Sequence, residues 1–296
     1  MTEDQKNQQK NDAQTGDIAR RDFVVSVTAG LAATAGTAAA ASHEVVETNV
    51  EIKMPDGNCD AAFIHPKSGS HPGVLIWPDA FGLRPSMREF AKRLAAEGYS
   101  VLVPNPFYRL TKPPFTDASN FNFATDMGKI QPLMASVSAP GAAEKDAVAY
   151  IAFLDAQKEV NKSKKIGTQG YCMGGPLVVR TAATVPDRVG AGASFHGGGL
   201  VTDKPDSPHL LAPKIKARMY FGVASNDDMR QPDAKVKLKE AFAAAKVPAE
   251  IEVYSGVHGW CVPDMPKQQN GEPTYNKADA ERAWGKLIAL YKAGIA

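Results

Sequence analysis

Residues 165–176 read KIGTQGYCMGGP and set Cys172 among glycines where a strand-like segment meets a helix. An apolar helical run follows at once, over residues 177–185. Gly-x-Cys-x-Gly-Gly in this setting has the layout of a nucleophile elbow, with cysteine where serine is more usual. Gly170 and Gly174 would leave room for a strained turn, and the positive end of the next helix would favour a thiolate. The alternative is a small buried cysteine at a glycine-rich turn.

The bulk composition narrows the class of protein. The chain has 296 residues, 44% of them hydrophobic and 22% charged, which is ordinary for a globular protein. A formal net charge of +2 without a basic cluster gives no electrostatic reason to expect nucleic acid as a partner. Cys59, Cys172 and Cys261 are far apart and form no Cys-x-x-Cys pair, so we expect no structural zinc or iron–sulfur site. Pairing of Cys59 with Cys261 after export is an open alternative.

The N-terminal region, residues 1–42, differs from the rest. Residues 1–19 are polar, and we expect them to be disordered. Arg20 and Arg21 then precede an uncharged run, 23–42, that ends in small residues, which predicts a twin-arginine export signal. This route would deliver the mature chain to the periplasm; a cytoplasmic protein with a chance arginine pair is the alternative. The run is too rich in alanine and glycine to span a membrane, so we expect no stable membrane association after signal removal.

Strands and helices alternate through residues 43–296, which we expect to form one domain. A hairpin over 45–64 comes first. Apolar runs at 73–77 and 100–103 predict strands buried on both faces, and the helix between them, 85–97, completes a βαβ unit. Further strands are expected before Cys172 and at 189–195, 215–223 and 249–254, and further helices at 142–157, 232–245 and 277–292. About seven or eight strands in this arrangement predict an α/β protein with a doubly wound, mostly parallel sheet and helices on both faces.

Residues 111–140 interrupt this alternation and have weak periodicity. We interpret them as a lid-like insertion with one short helix. Their apolar side chains would form one wall of a pocket or simply pack together; they are Phe115, Phe121, Phe123 and Met134.

A catalytic thiol needs a base within hydrogen-bond reach, and the base needs an orienting acid. The fold predicted here orders them as nucleophile, acid and histidine along the chain. Asp227 and His258 follow two later strands at their carboxyl ends, where open α/β sheets place their sites. They are therefore the predicted acid and base, with Asp228 as the competing acid.

The sequence HGGG at 196–199 resembles an oxyanion motif of some esterases, but it follows the nucleophile instead of preceding it. We interpret it as a turn near the rim of the cleft, with His196 either touching substrate or satisfied in the core. The early loop of the fold is Pro78 to Gly82 instead. The predicted oxyanion hole is therefore the backbone N–H of Met173 together with that of Ala80.

Residues 45–294 resemble the dienelactone hydrolase family, which is carboxymethylenebutenolidase-like. The motifs that carry the resemblance are WPDAFG at 77–82, MRE at 87–89, GY at 98–99, YR at 108–109, GYCMGG at 170–175 and HG at 258–259. The resemblance implies an α/β-hydrolase fold and a triad of Cys172, His258 and Asp227. It also implies hydrolysis of a small ester or lactone through an acyl-thioester, without a metal or an organic cofactor.

The resemblance implies roles for further residues. Asp79 takes the place of a family acid, usually Glu, that holds the resting thiol, although it is one methylene shorter. Arg88 and Arg109 fall near family positions that could face a substrate carboxylate. Tyr108 and Trp260 are candidate pocket walls.

Two other classes of function are left open by the sequence. One is a thiol redox sensor in which Cys172 would react with peroxide and pair with Cys261. The other is a binding protein that keeps the fold without the activity. The natural substrate and the oligomeric state cannot be read from the sequence.

Overall fold

The computed structural model describes residues 42–295. Eight strands in this range form one sheet, and they are β1 (Val45–Met54), β2 (Gly57–Pro66), β3 (Gly73–Trp77), β4 (Ser100–Pro104), β5 (Ile166–Tyr171), β6 (Val189–Phe195), β7 (Arg218–Val223) and β8 (Ala249–Val253). The α-helices of the same range are α1 (Pro85–Ala96), α2 (Met127–Ser138), α3 (Ala142–Ala156), α4 (Gly174–Thr184), α5 (Ser225–Arg230), α6 (Ala234–Ala244) and α7 (Lys277–Gly294). The disordered segment and export signal predicted for residues 1–42 lie outside the described range, except for Ser42.

The strands are arranged in the order β1-β2-β4-β3-β5-β6-β7-β8. β1 and β2 form an antiparallel hairpin, and β2 also pairs antiparallel with β4. From β4 to β8 every neighbouring pair is parallel. β3, β4 and β5 are buried along their whole length, as expected for parallel strands covered on both faces. The predicted α/β-hydrolase sheet of about seven or eight strands is confirmed.

The core consists of two large apolar clusters on opposite faces of the sheet. Successive side chains of a strand point to opposite faces, so Leu75 enters one cluster and its neighbour Val74 enters the other. Cys59 belongs to the first cluster and Cys261 to the second, and both are free thiols. Because the sheet lies between them, the alternative of a Cys59–Cys261 disulfide is contradicted.

The boundaries of the elements differ from the prediction on both sides of β7, before its first residue and after its last. The strand expected from residue 215 begins at Arg218, because residues 208–214 form a short 3-10 helix. The loop expected after β7 contains α5. The lid-like segment does contain a short helix, α2. Within the described part of the chain, no helix has both the length and the apolar character needed to cross a membrane.

Candidate active site

The turn between β5 and α4 carries Cys172 in a left-handed backbone conformation, with φ of 51°. Residues other than glycine rarely adopt this backbone conformation, so the turn is strained. Glycine is required on both sides: a Cβ on Gly170 would clash with the Gly174 carbonyl, and a Cβ on Gly174 would clash with the carbonyl oxygens of Trp77 and Pro78. The close approach at Gly174 brings the start of α4 against the loop that follows β3. The Cys172 side chain is partly exposed at this junction.

Asp227 and His258 come together from two neighbouring strand ends. Asp227 lies in α5, directly after β7, and His258 lies in the loop after β8. The His258 Nδ1–H donates to Asp227 Oδ2 across 2.6 Å, and the backbone N–H of His258 donates to Asn226 Oδ1 across 2.8 Å. Asp228 instead accepts from Lys235 Nζ at 2.6 Å. The geometry therefore separates the two aspartates and joins Asp227 to the imidazole.

The charge state of His258 depends on burial and on two neighbours, Cys172 and Asp227. Burial alone would lower its pKa, but the nearby Cys172 sulfur and the Asp227 carboxylate raise it to about 10. The imidazolium form is thus favoured at neutral pH. A positively charged imidazole beside a sulfur is the arrangement that stabilises a thiolate.

The amides of Ala80 and Met173 lie on the two sides of the junction made by Gly174. Both residues are almost completely buried, at 5% and 6% exposed. Among the hydrogen bonds found within residues 42–295, none is donated by either amide. Both N–H groups are thus free to donate to a bound ligand, as an oxyanion hole requires.

Asp79 makes contacts other than the one that the family resemblance implies. Both of its carboxylate oxygens accept from the Arg84 guanidinium, at 2.7 and 2.9 Å, and Oδ1 also accepts from the Phe81 N–H at 2.9 Å. Asp79 and Arg84 are buried, and Arg84 reaches on to Asp264 at 2.8 and 2.9 Å. The expectation that Asp79 restrains the thiol has no support, because its oxygens are already bound in an ion pair. Sequence reasoning missed Arg84.

Arg109 and Tyr108 also lie in a structural network. The guanidinium of Arg109 binds the fully buried Asp146 at 2.7 and 2.8 Å and Asp56 at 2.9 Å, and the Tyr108 hydroxyl donates to Asp146 at 2.9 Å. These contacts attach the turn between β1 and β2 to α3. The expectation that Arg109 faces a substrate carboxylate is therefore not supported, and neither is a wall role for Tyr108.

Arg88 and Trp260 are the other two expectations that the contacts do not support. Arg88 joins α1 to β1 through Glu47 at 2.5 Å and Asn49 at 2.8 Å. Trp260 is fully buried and stacks on Tyr254 with ring centroids 4.2 Å apart. It packs within the core instead of facing a pocket.

An open cleft of about 1050 Å³ lies against His258. One side comes from residues 119–124 of the lid-like segment and the other from residues 265–270. Phe121 and Phe123 line it, whereas Phe115 and Met134 pack onto a small apolar cluster around Phe81. Of the four side chains expected at a pocket wall, Phe121 and Phe123 are therefore at the cleft.

The charged side chains that line this cleft are cationic. Arg230 and Lys267 line it, and none of the described lining residues is acidic. Arg230 is mostly exposed and only loosely paired with Asp227, at 3.3 Å. Neither cation was identified from the sequence. Within the described residues, no group of three or more His, Cys, Asp or Glu side chains could hold a metal ion.

Comparison with known proteins supplies the family. The sequence model of the dienelactone hydrolase family matches residues 59–294. Protein Usf of Aquifex pyrophilus is 27% identical over 233 residues, which cover 77% of this chain and 90% of that protein. An Escherichia coli K12 protein with the provisional name carboxymethylenebutenolidase is 28% identical over 258 residues, covering 84% and 87%.

A solved structure shows the same fold. It is that of a dienelactone hydrolase-like promiscuous phosphotriesterase from metagenomic libraries, with a TM-score of 0.69 at 24% identity, covering 85% of this chain and 99% of that one. The family match spans well over half of the chain, and the predicted resemblance is confirmed. The protein belongs to the dienelactone hydrolase family of carboxylic ester and lactone hydrolases.

Proposed function

We propose that the protein hydrolyses a small carboxylic ester or lactone with Cys172 as nucleophile, His258 as acid and base, and Asp227 as the orienting acid. The observation that carries the proposal is the pair Asp227–His258, joined at 2.6 Å, with the Cys172 sulfur close enough to raise the pKa of the imidazole. The strained turn at Cys172 is a second support, since strain of this kind concentrates at functional sites.

Acylation starts from a Cys172 thiolate paired with a protonated His258. The Cys172 thiolate attacks the carbonyl carbon, and the oxyanion that forms accepts from the N–H groups of Ala80 and Met173. The tetrahedral intermediate collapses to a thioester as the C–O bond breaks. His258 gives its proton to the departing oxygen and becomes neutral, so the alcohol leaves uncharged.

Deacylation reverses the direction of proton transfer. Neutral His258 takes a proton from water, and the hydroxide attacks the thioester carbonyl. The second tetrahedral intermediate expels the Cys172 thiolate and releases the acid. His258 ends protonated, so the resting ion pair is restored. Asp227 keeps the imidazole in one orientation and stabilises its positive charge throughout.

The cleft also bears on the choice of substrate. Arg230 and Lys267 give it a positive potential, and low-dielectric clefts focus such a potential on charged ligands. We therefore propose that the protein prefers an ester or lactone with an anionic group over a neutral one of the same size.

The two alternative classes have less support. Cys172 packs against the core cluster on one face of the sheet, and Cys261 is buried in the cluster on the other face. A disulfide between them would have to form across the sheet, which disfavours the redox-sensor hypothesis. A binding protein without activity has no need of a strained cysteine beside a charged imidazole.

The test is a panel of short p-nitrophenyl esters and lactones, with and without a carboxylate. Cys172→Ala is expected to lose at least about 1000-fold in kcat/KM. Cys261→Ala, which removes a buried thiol from the core cluster on the opposite face of the sheet, serves as the control and should stay within about threefold of wild type. Hydrolysis by Cys172→Ala at the wild-type rate in a clean preparation would refute the proposed nucleophile.

A further inference from the structure

His196 is a buried histidine with an unusual backbone conformation beside the triad. It directly follows β6, is fully buried and has φ of 40°. Its backbone N–H donates to the Gly222 carbonyl across 2.7 Å. Non-glycine residues seldom take positive φ, and residues held in such strained conformations cluster at functional sites. His196 and Cys172 thus occupy equivalent strained positions at the ends of two neighbouring parallel strands.

His196 Nδ1 accepts a hydrogen bond from the turn that carries Cys172. The Cys172 backbone N–H donates to His196 Nδ1 across 3.1 Å, and it shares that proton with the Phe195 carbonyl, also at 3.1 Å. Because Nδ1 accepts, the ring carries its proton on Nε2. Burial, reinforced by the positive charge of His258, lowers the pKa of His196. The ring is therefore neutral while His258 is charged.

The same ring also supports the catalytic imidazole. The centroids of His196 and His258 are 4.9 Å apart, and the rings meet edge to face at 66°. Trp260 packs against His196 at 6.2 Å between centroids and Tyr171 at 6.1 Å, so the ring has little freedom to move. Nε2 is buried and has no hydrogen-bond partner within the described residues. A buried polar atom without a partner is unfavourable, so an apolar residue would be preferred here if packing were the whole role.

We propose that His196 is a positioning residue for the hydrolytic reaction. Its Nδ1 accepts a hydrogen bond from the Cys172 N–H, and its ring packs edge to face against His258. The inference rests on the proposed function, in which Cys172 and His258 are the reacting pair. His196 fixes the turn that carries the sulfur and, through the same rigid ring, the imidazole that exchanges protons with it. A small displacement of either group lowers the rate of the chemical step more than it lowers substrate binding.

Two substitutions test the hydrogen bond that His196 accepts from the Cys172 N–H. His196→Asn keeps an acceptor close to the position of Nδ1, and asparagine tolerates positive φ. His196→Phe keeps a ring of similar shape against His258 but removes the acceptor. We expect His196→Phe to lose about 10- to 100-fold in kcat with KM changed less than about twofold, and His196→Asn to recover at least half of that loss on a logarithmic scale.

A second readout follows the thiol itself. The rate of Cys172 alkylation by iodoacetamide, measured per folded molecule at neutral pH, should fall in His196→Phe and recover in His196→Asn. His65→Phe is the matched control, since His65 is a buried histidine in β2 away from the triad, and both rates should remain those of wild type. If His196→Phe does not fold, His196→Gln takes its place, because the longer side chain cannot offer an acceptor at the Nδ1 position.

The outcomes are distinct from those for the proposed function. Wild-type kcat per folded molecule in His196→Phe would overturn the inference, as would a His196→Asn variant no faster than His196→Phe. Cys172→Ala is assayed in parallel: if it hydrolyses the same ester as fast as wild type, the proposed function itself fails, whatever the His196 variants show.

Discussion

Arg84 holds both carboxylate oxygens of Asp79, at 2.7 and 2.9 Å, and the opposite side of its guanidinium binds Asp264. Asp79 directly precedes Ala80 in the loop after β3, and Asp264 lies six residues after His258. A single buried cation thus joins the loop of the proposed oxyanion hole to the loop of the proposed base. Breaking a buried ion pair leaves a charge without a partner, which is far more costly than losing an exposed pair.

Arg84→Met is therefore expected to lower the free energy of unfolding by about 3–5 kcal/mol, since Asp79 would be left buried and unpaired. Urea unfolding followed by fluorescence would measure the change. Lys67→Met is the control, because Lys67 and Glu44 form an exposed pair with side chains 62% and 71% exposed, and little change is expected. Equal and small changes in the free energy of unfolding of the two variants would contradict a stabilising role for the buried Asp79–Arg84 ion pair.

Asp227→Asn tests the orienting role of the acid. The Cys172 sulfur and the Asp227 carboxylate both raise the pKa of His258, so the replacement of Asp227 should move that pKa from about 10 part of the way towards the usual 6.5. The neutral form then prevails over a wider pH range, and the alkaline limb of kcat/KM should shift to lower pH. We also expect a loss of about 10³- to 10⁴-fold in kcat, as for other triads with a lost acid.

The control for this experiment is Asp228→Asn. Asp228 binds Lys235 and does not contact His258, so the titration of His258, followed by NMR, should stay as in wild type. An Asp228 variant that shifts the titration as far as the Asp227 variant would show that the acid has been assigned to the wrong aspartate.

Lys267→Glu tests the positive potential of the cleft. For an anionic ester, kcat/KM should fall about 5- to 10-fold at low ionic strength, and the effect should shrink as salt is added, because exposed charges are screened. A neutral ester of the same size should be unaffected. Lys292→Glu makes the same change of charge on the exposed surface of α7. If both variants lower the rate equally, net charge and not the cleft is responsible.

Gly174→Ala tests the close approach of α4 to the loop after β3. The added methyl would clash with the carbonyl oxygens of Trp77 and Pro78, so the free energy of unfolding should fall by about 1–3 kcal/mol. Gly285→Ala, in the middle of α7, meets no atom within 4 Å and should raise it by about 0.5–1 kcal/mol. Thermal unfolding of both variants measures these changes. A Gly174→Ala variant as stable as wild type would contradict the close approach of Gly174 to the carbonyl oxygens of Trp77 and Pro78.

Much of the fold was predictable because it depends on local patterns. The apolar runs that became β3 and β4, and the turn at Gly57 that closes the first hairpin, are visible in a short window of sequence. The grouping of Cys172, Asp227 and His258 was predictable because a parallel sheet brings the carboxyl ends of its strands to one edge.

The partners of charged side chains were not predictable in the same way. The family resemblance implies roles at the active site for Asp79 and Arg109, whereas their partners in the structure are Arg84 and Asp146. Asp146 is 37 residues from Arg109, and no local pattern specifies a contact at that separation. The sequence does not decide whether His196 contacts substrate or packs in the core, because its role depends on which atoms surround its ring, and only the packing of the fold determines those atoms.

The most direct test of the central claim is the mass of the acylated enzyme. A reaction with p-nitrophenyl butyrate, quenched in acid during turnover, should contain protein that carries one acyl group, and peptide mapping should locate it on Cys172. In Cys172→Ala the adduct should be absent. An acyl group on another residue, or rapid turnover of the ester by Cys172→Ala, would contradict the account.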